Sequence, residues 1–266
     1  MRQYIIDAFT DKVFSGNQAA VCVMDRWPED SLMQSIAIEN NFSETAFLVK
    51  GYEKETYALR WFTPGGEVDL CGHATLASAF VVFSFYEKEA GKLVFKTRWS
   101  GNLIVSRKGA FIEMDFPAYN NYRHVPVTDK MEEALGFRPL DAVMGRDLLM
   151  VVPDEDFVRE YVPRIDALKE LDGLLQCITA EGKGEYDCVS RCFGPKLSIP
   201  EDPVTGSAHC LITPYWQDRT GKKELLALQA SARKGVMRTR RTGDRVILSG
   251  QAALFSIADI VAKFPV

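Results

Sequence analysis

Two stretches of the chain stay apolar on nearly every side for longer than a strand, and short alternating runs surround each of them. Residues 74–89 carry Leu76, Phe80, Val81 and Phe83 with few breaks, turn polar at Lys88 and Glu89, and stop at Gly91. A helix that is apolar all round belongs inside a domain rather than on its surface, so this stretch predicts a buried central helix. Residues 207–221 predict a second one, with Pro214 as a kink inside it. Around the first, residues 4–9, 19–24, 43–49, 57–62, 93–97, 101–107 and 110–116 read as strands. Residues 28–40 read as a helix, with Pro28 in its first turn and Glu29 and Asp30 suited to its positive end. Around the second lie predicted strands at 148–153, 174–179, 186–193, 236–239, 245–248 and 252–257, and short helices at 128–135 and 154–161. Residues 117–126 hold Asn120-Asn121 and no apolar period, and predict the linker. The pattern is α+β: two domains, 1–117 and 118–266, with the last strand able to return to the first.

The two halves echo each other in motif as well as in pattern. Arg60-Trp61-Phe62-Thr63-Pro64 precedes Leu70-Cys71-Gly72-His73-Ala74-Thr75, and Arg191-Cys192-Phe193-Gly194-Pro195 precedes Glu201-Asp202-Pro203-Val204-Thr205-Gly206-Ser207. Eleven positions separate Arg60 from Cys71, and eleven separate Arg191 from Asp202. Upstream, the stretch beginning at Gly16-Asn17 resembles the one beginning at Gly145-Arg146. A duplicated unit of roughly 130 residues follows, which is the size of a domain and far longer than a solenoid repeat. By this count Cys71 and Asp202 hold equal places.

Composition changes the picture little. The chain has 266 residues, 47% hydrophobic and 26% charged, with a formal net charge of −4. These are globular values, and the charge argues against nucleic acid as the main partner. No run of about 18 apolar residues is present, so no membrane span is expected. Six scattered cysteines and a start with an acid at Asp7 and no apolar leader predict free thiols in the cytoplasm. The cysteines and histidines match no zinc finger or ribbon spacing. The basic residues between Arg233 and Arg245 read as a solvated hairpin face.

The candidate chemistry lies at the starts of the two central helices. Pro203 stiffens the second turn and biases Asp202 away from helix. Gly72, Gly206 and Ser207 can offer backbone N–H groups, and Ser207 its hydroxyl, to a carboxylate. Glu44 sits on a strand among Phe42, Ala46 and Phe47. It is either a solvent-facing carboxylate or a partly desolvated one able to take and return a proton near neutral pH. Cys71 is either a small packed residue at a tight turn or a thiol whose pKa the helix start can depress. Asn17 is either a polar wall or a turn former. His124 and His209 receive no role.

These words, in this order, resemble the phenazine biosynthesis PhzF-like family, and most closely its isomerase-like members. The matching words are Asp7-Ala8-Phe9, Gly16-Asn17-Gln18-Ala19-Ala20-Val21, Ser43-Glu44-Thr45-Ala46-Phe47, Arg60-Trp61-Phe62-Thr63-Pro64, Cys71-Gly72-His73-Ala74-Thr75 and the run from Glu201 to His209. The resemblance implies the diaminopimelate epimerase fold, in which two pseudo-symmetric domains each wrap a mostly antiparallel sheet around a central helix and share a cleft. It implies a homodimer and an isomerase without cofactor or metal that shuttles a proton on a small carboxylic acid. Glu44 matches the family's proton carrier. His73 would orient the substrate, and Asp202 would hold its amine or hydroxyl. Diaminopimelate epimerase, a relative by fold, has cysteine at both turns, so Asp202 argues against two-thiol epimerisation. The competing reading is a non-catalytic ligand-binding or protein-interaction module that keeps the cleft.

Overall fold

The computed structural model describes residues 1–261. The chain forms two units. Among the described residues the first is Met1–Asp115 together with residues 250–261, and the second is Phe116–Ser249.

The first unit contains β1 (Arg2–Ala8), β2 (Asn17–Met24), α1 (Asp30–Asn40), β3 (Glu44–Lys50), β4 (Thr56–Thr63), β5 (Gly66–Val68), α2 (Gly72–Val81), β6 (Lys92–Thr97), β7 (Asn102–Lys108) and β8 (Phe111–Pro117). The second unit contains β9 (Arg123–His124), α3 (Asp129–Leu135), β10 (Asp141–Met144), β11 (Leu148–Val151), α4 (Glu155–Glu160), α5 (Ile165–Lys169), β12 (Gln176–Glu181), β13 (Cys188–Gly194), β14 (Ile199–Asp202), α6 (Gly206–Thr220), β15 (Leu225–Gln229), β16 (Gly235–Thr242) and β17 (Arg245–Gly250). The last strand, β18 (Ala252–Asp259), returns to pair antiparallel with β1.

Strand pairing repeats step for step. In the first unit β1–β2 is antiparallel, β2–β3 parallel, β3–β4 antiparallel, β4–β6 parallel and β6–β7 and β7–β8 antiparallel. In the second, β10–β11, β11–β12, β12–β13, β13–β15, β15–β16 and β16–β17 follow the same order of senses. The hairpin β4–β5 corresponds to β13–β14. Even the outer strand is matched: β18 lies on β1 as β9 lies on β10.

Period-two alternation sorts each sheet into two faces. In the first unit Cys22, Phe47 and Phe62 turn outward to pack with Met33, Ile36 and Ala37 of α1. The opposite face holds α2, which packs on β1, β2 and β3. In the second unit α3, α4 and α5 cover the outer face through a core that includes Met150, Ile178, Val189 and Phe193, and α6 packs on β12 and β16. Residues Gly72–Val81 are α-helical, and Val82–Tyr86 continue as a π-helical turn. Pro214 sits inside an unbroken α6. Its ring leaves the carbonyl four residues back without an intrahelical donor, and that carbonyl, Cys210 O, accepts the Tyr119 N–H at 2.9 Å instead. No helix among the described residues is long and apolar enough to cross a membrane. All six cysteines are free and buried.

Candidate active site

The first unit gathers Asn17, Glu44, Cys71, Gly72 and His73. Gly16 makes the turn into β2 at φ +65°, and a Cβ there would collide with the Ala8 carbonyl oxygen, so the position demands glycine. The turn delivers Asn17 to the start of β2, where it is buried. In the parallel pair, Ala19 lies opposite Glu44, so Glu44 opens β3 close to Asn17. Its face of the strand is the one opposite Phe47, toward α2. Cys71 is the extended N-cap residue of α2, and His73 is the helix's second residue.

The imidazole of His73 links the other three side chains. Its Nε2 lies 3.1 Å from Glu44 Oε2. Its Nδ1 lies 3.2 Å from Asn17 Nδ2 and 3.5 Å from Cys71 Sγ. The Glu44 contact is at ion-pair distance but off the hydrogen-bond axis. Glu44 Oε2 and His73 Nε2 are therefore both buried without an aligned hydrogen-bond partner. Such orphaned polar atoms are uncommon in folded proteins and call for a functional reason.

Burial would lower the His73 pKa, but the neighbouring Cys71 and Glu44 outweigh it and hold the imidazole well above its ordinary value. Burial and the Glu44 charge push the Cys71 thiol up to about 11, although His73 pulls the other way. A thiol raised so far is protonated at neutral pH. The helix start does not depress Cys71, because desolvation and a nearby carboxylate dominate. Glu44, Cys71 and His73 bring one ligand atom each within 4.8 Å of one another, a donor set able to hold a metal ion.

The second unit gathers Asp202, Thr205, Gly206 and Ser207. Thr205 caps α6 in an extended conformation. Its hydroxyl donates to Asp202 Oδ2 at 2.7 Å, and its N–H donates to Gln229 Oε1 at 2.8 Å. Gln229 Nε2 donates to the Asp202 carbonyl at 2.7 Å. One residue earlier, Glu201 accepts a two-pronged pair from Arg191 at 2.7 and 2.9 Å. Arg146 Nη2 donates to Ser207 Oγ at 2.9 Å while the same guanidinium grips buried Asp147.

Strand register corrects the equivalence read from the count of eleven. Trp61 pairs with Val68 in the first hairpin, and Cys192 pairs with Asp202 in the second. Asp202 thus corresponds to Val68, while Cys71 corresponds to Thr205, the other helix cap. The second hairpin is the longer one, ten positions from Cys192 to Asp202 against seven from Trp61 to Val68, which the count could not reveal. Thr205, Gln229 and Arg146 were not singled out from sequence. Arg146 had a signal, since it takes the place of Asn17 in the duplicated Gly-led turn.

A family model described as phenazine biosynthesis-like protein, PhzC-PhzF, matches residues 6–258. An uncharacterized isomerase of Halalkalibacterium halodurans is 44% identical over 252 residues, covering 94% of each chain. A crystal structure of a phenazine biosynthesis protein of the PhzF family from Enterococcus faecalis is 46% identical, with a TM-score of 0.94 and coverage of 98% of this chain and 99% of that one. A predicted epimerase from Pseudomonas aeruginosa is 19% identical with a TM-score of 0.72 over 98% and 99% of the two chains, a likeness of fold. The architecture is the diaminopimelate epimerase-like α+β fold, and the relatives support a general isomerase or epimerase role. With its repeated topology and its Glu44–His73 centre, this chain belongs to the PhzC-PhzF phenazine biosynthesis-like family.

Proposed function

We propose that the protein is a cofactor-independent isomerase that moves a proton on a small carboxylic-acid metabolite, with Glu44 as the base. The observation that carries this reading is the buried pair of Glu44 Oε2 and His73 Nε2, which lie 3.1 Å apart and lack aligned hydrogen-bond partners. A carboxylate held at the mouth of a strand, with a cationic imidazole beside it, can accept a proton from a carbon whose electron pair is drained into an adjacent carboxylate or double bond. His73 holds the direction of Glu44. Gly72 offers backbone N–H at the start of α2. In the same reading Asp202, Gly206 and Ser207 form an anion-binding turn at the start of α6.

The test is a panel of carboxylic-acid metabolites incubated with the protein in deuterated water and read by NMR. Wild-type protein should carry solvent deuterium into a carbon position of at least one acid. Glu44→Gln should slow that exchange by at least about a hundredfold, the usual worth of a positioned acid–base group. Tight binding by a panel member with no exchange would instead make the protein a binding module.

A further inference from the structure

Glu44 is the first residue of β3, and its carboxylate meets His73 only at the tip. Where the side chain begins is set by the backbone of β3. That backbone is laddered on one side: Glu44 pairs with Ala19 of β2, whereas the ladder to β4 starts one residue later, at Thr45 and Phe62. A strand end held on one side frays unless something else anchors it.

The anchor lies on the other face of the sheet. Thr45 is fully buried, and its side chain points away from that of Glu44, toward α1. Its hydroxyl oxygen accepts a hydrogen bond from Asn40 Nδ2 at 3.1 Å. Asn40 is the last residue of α1. The same amide nitrogen donates to Gln3 Oε1 of β1 at 3.0 Å, and that oxygen also accepts from the Cys22 thiol of β2 at 3.6 Å. One polar point behind the start of β3 therefore ties together β1, β2, β3 and α1. The connection it closes is short. Asn41 turns out of the helix at φ 51°, and only Phe42 and Ser43 remain before Glu44.

We infer that Asn40 is a positioning residue for the Glu44 base: acting through Thr45, it fixes the start of β3 and so sets where the carboxylate stands against the substrate carbon. The inference rests on the isomerase reading and adds to it the group that aims the base. Both hydrogens of the Asn40 amide are used, one on Thr45 and one on Gln3, so the amide has a single orientation. Thr45 is β-branched and stiff at χ1, so holding its hydroxyl holds its backbone. Glu44 and Thr45 are neighbours on opposite faces, and a shift of one tilts the Cα–Cβ direction of the other. A misplacement of about 1 Å between reacting groups costs about a hundredfold in rate, so slack of half that size is worth roughly tenfold.

The experiment uses the full chain and the acid that the deuterium screen identifies. Thr45→Val keeps the shape and removes the hydroxyl, and Asn40→Ala removes the amide. Each should lower kcat for exchange, per folded molecule, by about tenfold, with KM within about twofold of wild type. Thr45→Ser, which keeps the hydroxyl, should recover most of the loss. Met33→Ala loosens α1 against the same face of the sheet without touching Thr45, so it should lower the thermal midpoint and leave kcat as it was. If folded Thr45→Val keeps the wild-type kcat, or if Met33→Ala loses as much turnover, Asn40 serves stability alone and the isomerase reading stands. If wild-type protein exchanges no acid in the panel, both readings fall. A second arm needs no substrate. In a crystal structure of Thr45→Val, Glu44 Oε2 and His73 Nε2 should stand further apart than their present 3.1 Å, by about 0.5 Å. An unchanged separation would overturn the inference.

Discussion

The two units share one order of strands, yet the centres they build are chemically opposite. The first leaves a carboxylate oxygen and a ring nitrogen buried without aligned partners. The second closes its turn with bonds: Thr205 to Asp202, Gln229 to Thr205 and Asp202, Arg146 to Ser207 and Asp147, Arg191 to Glu201. The contrast is sharpest at one position. Phe47 pairs with Arg60 and Ile178 with Arg191, so Glu44, three residues before Phe47, corresponds to Leu175, just ahead of β12. Duplication placed the same strand start in both units, and one has an acid where the other has a buried leucine. Beside that leucine, Gln176 Nε2 donates to the carbonyls of Asp172 and Gly173, each at 3.1 Å, and so ties a loop. A repeated fold can therefore divide its duties, one copy setting a carboxylate beside an imidazole and the other bonding its acid to the helix cap.

That division can be challenged directly. The largest expected effect on stability is at Arg191. Its guanidinium is buried against Glu201 and the carbonyls of Tyr161 and Val158, so Arg191→Leu strands a half-buried carboxylate and two buried carbonyls and should cost about 3 kcal/mol by urea denaturation. A cost below about 1 kcal/mol would mean the frame is not held there. Next is Gln176→Glu, which would aim a carboxylate at two carbonyl oxygens and should cost roughly 2–3 kcal/mol. Glu44→Gln, by contrast, should leave stability unchanged or raised while removing exchange. Equal costs at the two positions would erase the distinction between the centres.

The smallest effect concerns pH. His209 donates from Nδ1 to the Thr205 carbonyl at 2.9 Å, leaves Nε2 buried without a partner, and is lowered by burial to about 4. The unfolded chain binds this proton more readily, near the ordinary histidine value of about 6.5. Stability from this group is therefore present above that value and is lost as pH falls toward 4. Between pH 7 and pH 5 it should contribute a loss of roughly 2 kcal/mol. Unfolding midpoints measured across that range should fall in wild type and flatten in His209→Gln.

Much of this was legible in sequence because duplication wrote it twice. The apolar helices, the paired Arg lead-ins and the Gly-led turns gave the fold class and the residues around Glu44. The strands β10 and β15 were not read. Leu225–Gln229 has no alternation because it lies between β13 and β16 and is mostly buried, and a five-residue apolar run carries no period. The π-helical turn at Val82–Tyr86 hid inside a continuous apolar stretch. The state of Cys71 was also out of reach, since a helix start alone favours a thiolate, and only the depth of burial and the proximity of Glu44 reverse that.

The pairing of β18 with β1 has a consequence during synthesis. Phe116–Ser249 is one uninterrupted segment and can condense as it leaves the ribosome, whereas the other unit waits for its final strand until that whole segment has been made. Until then the edge of Tyr4-Ile5-Ile6 stays open on the nascent polypeptide, a sticky border of the kind that holding chaperones guard.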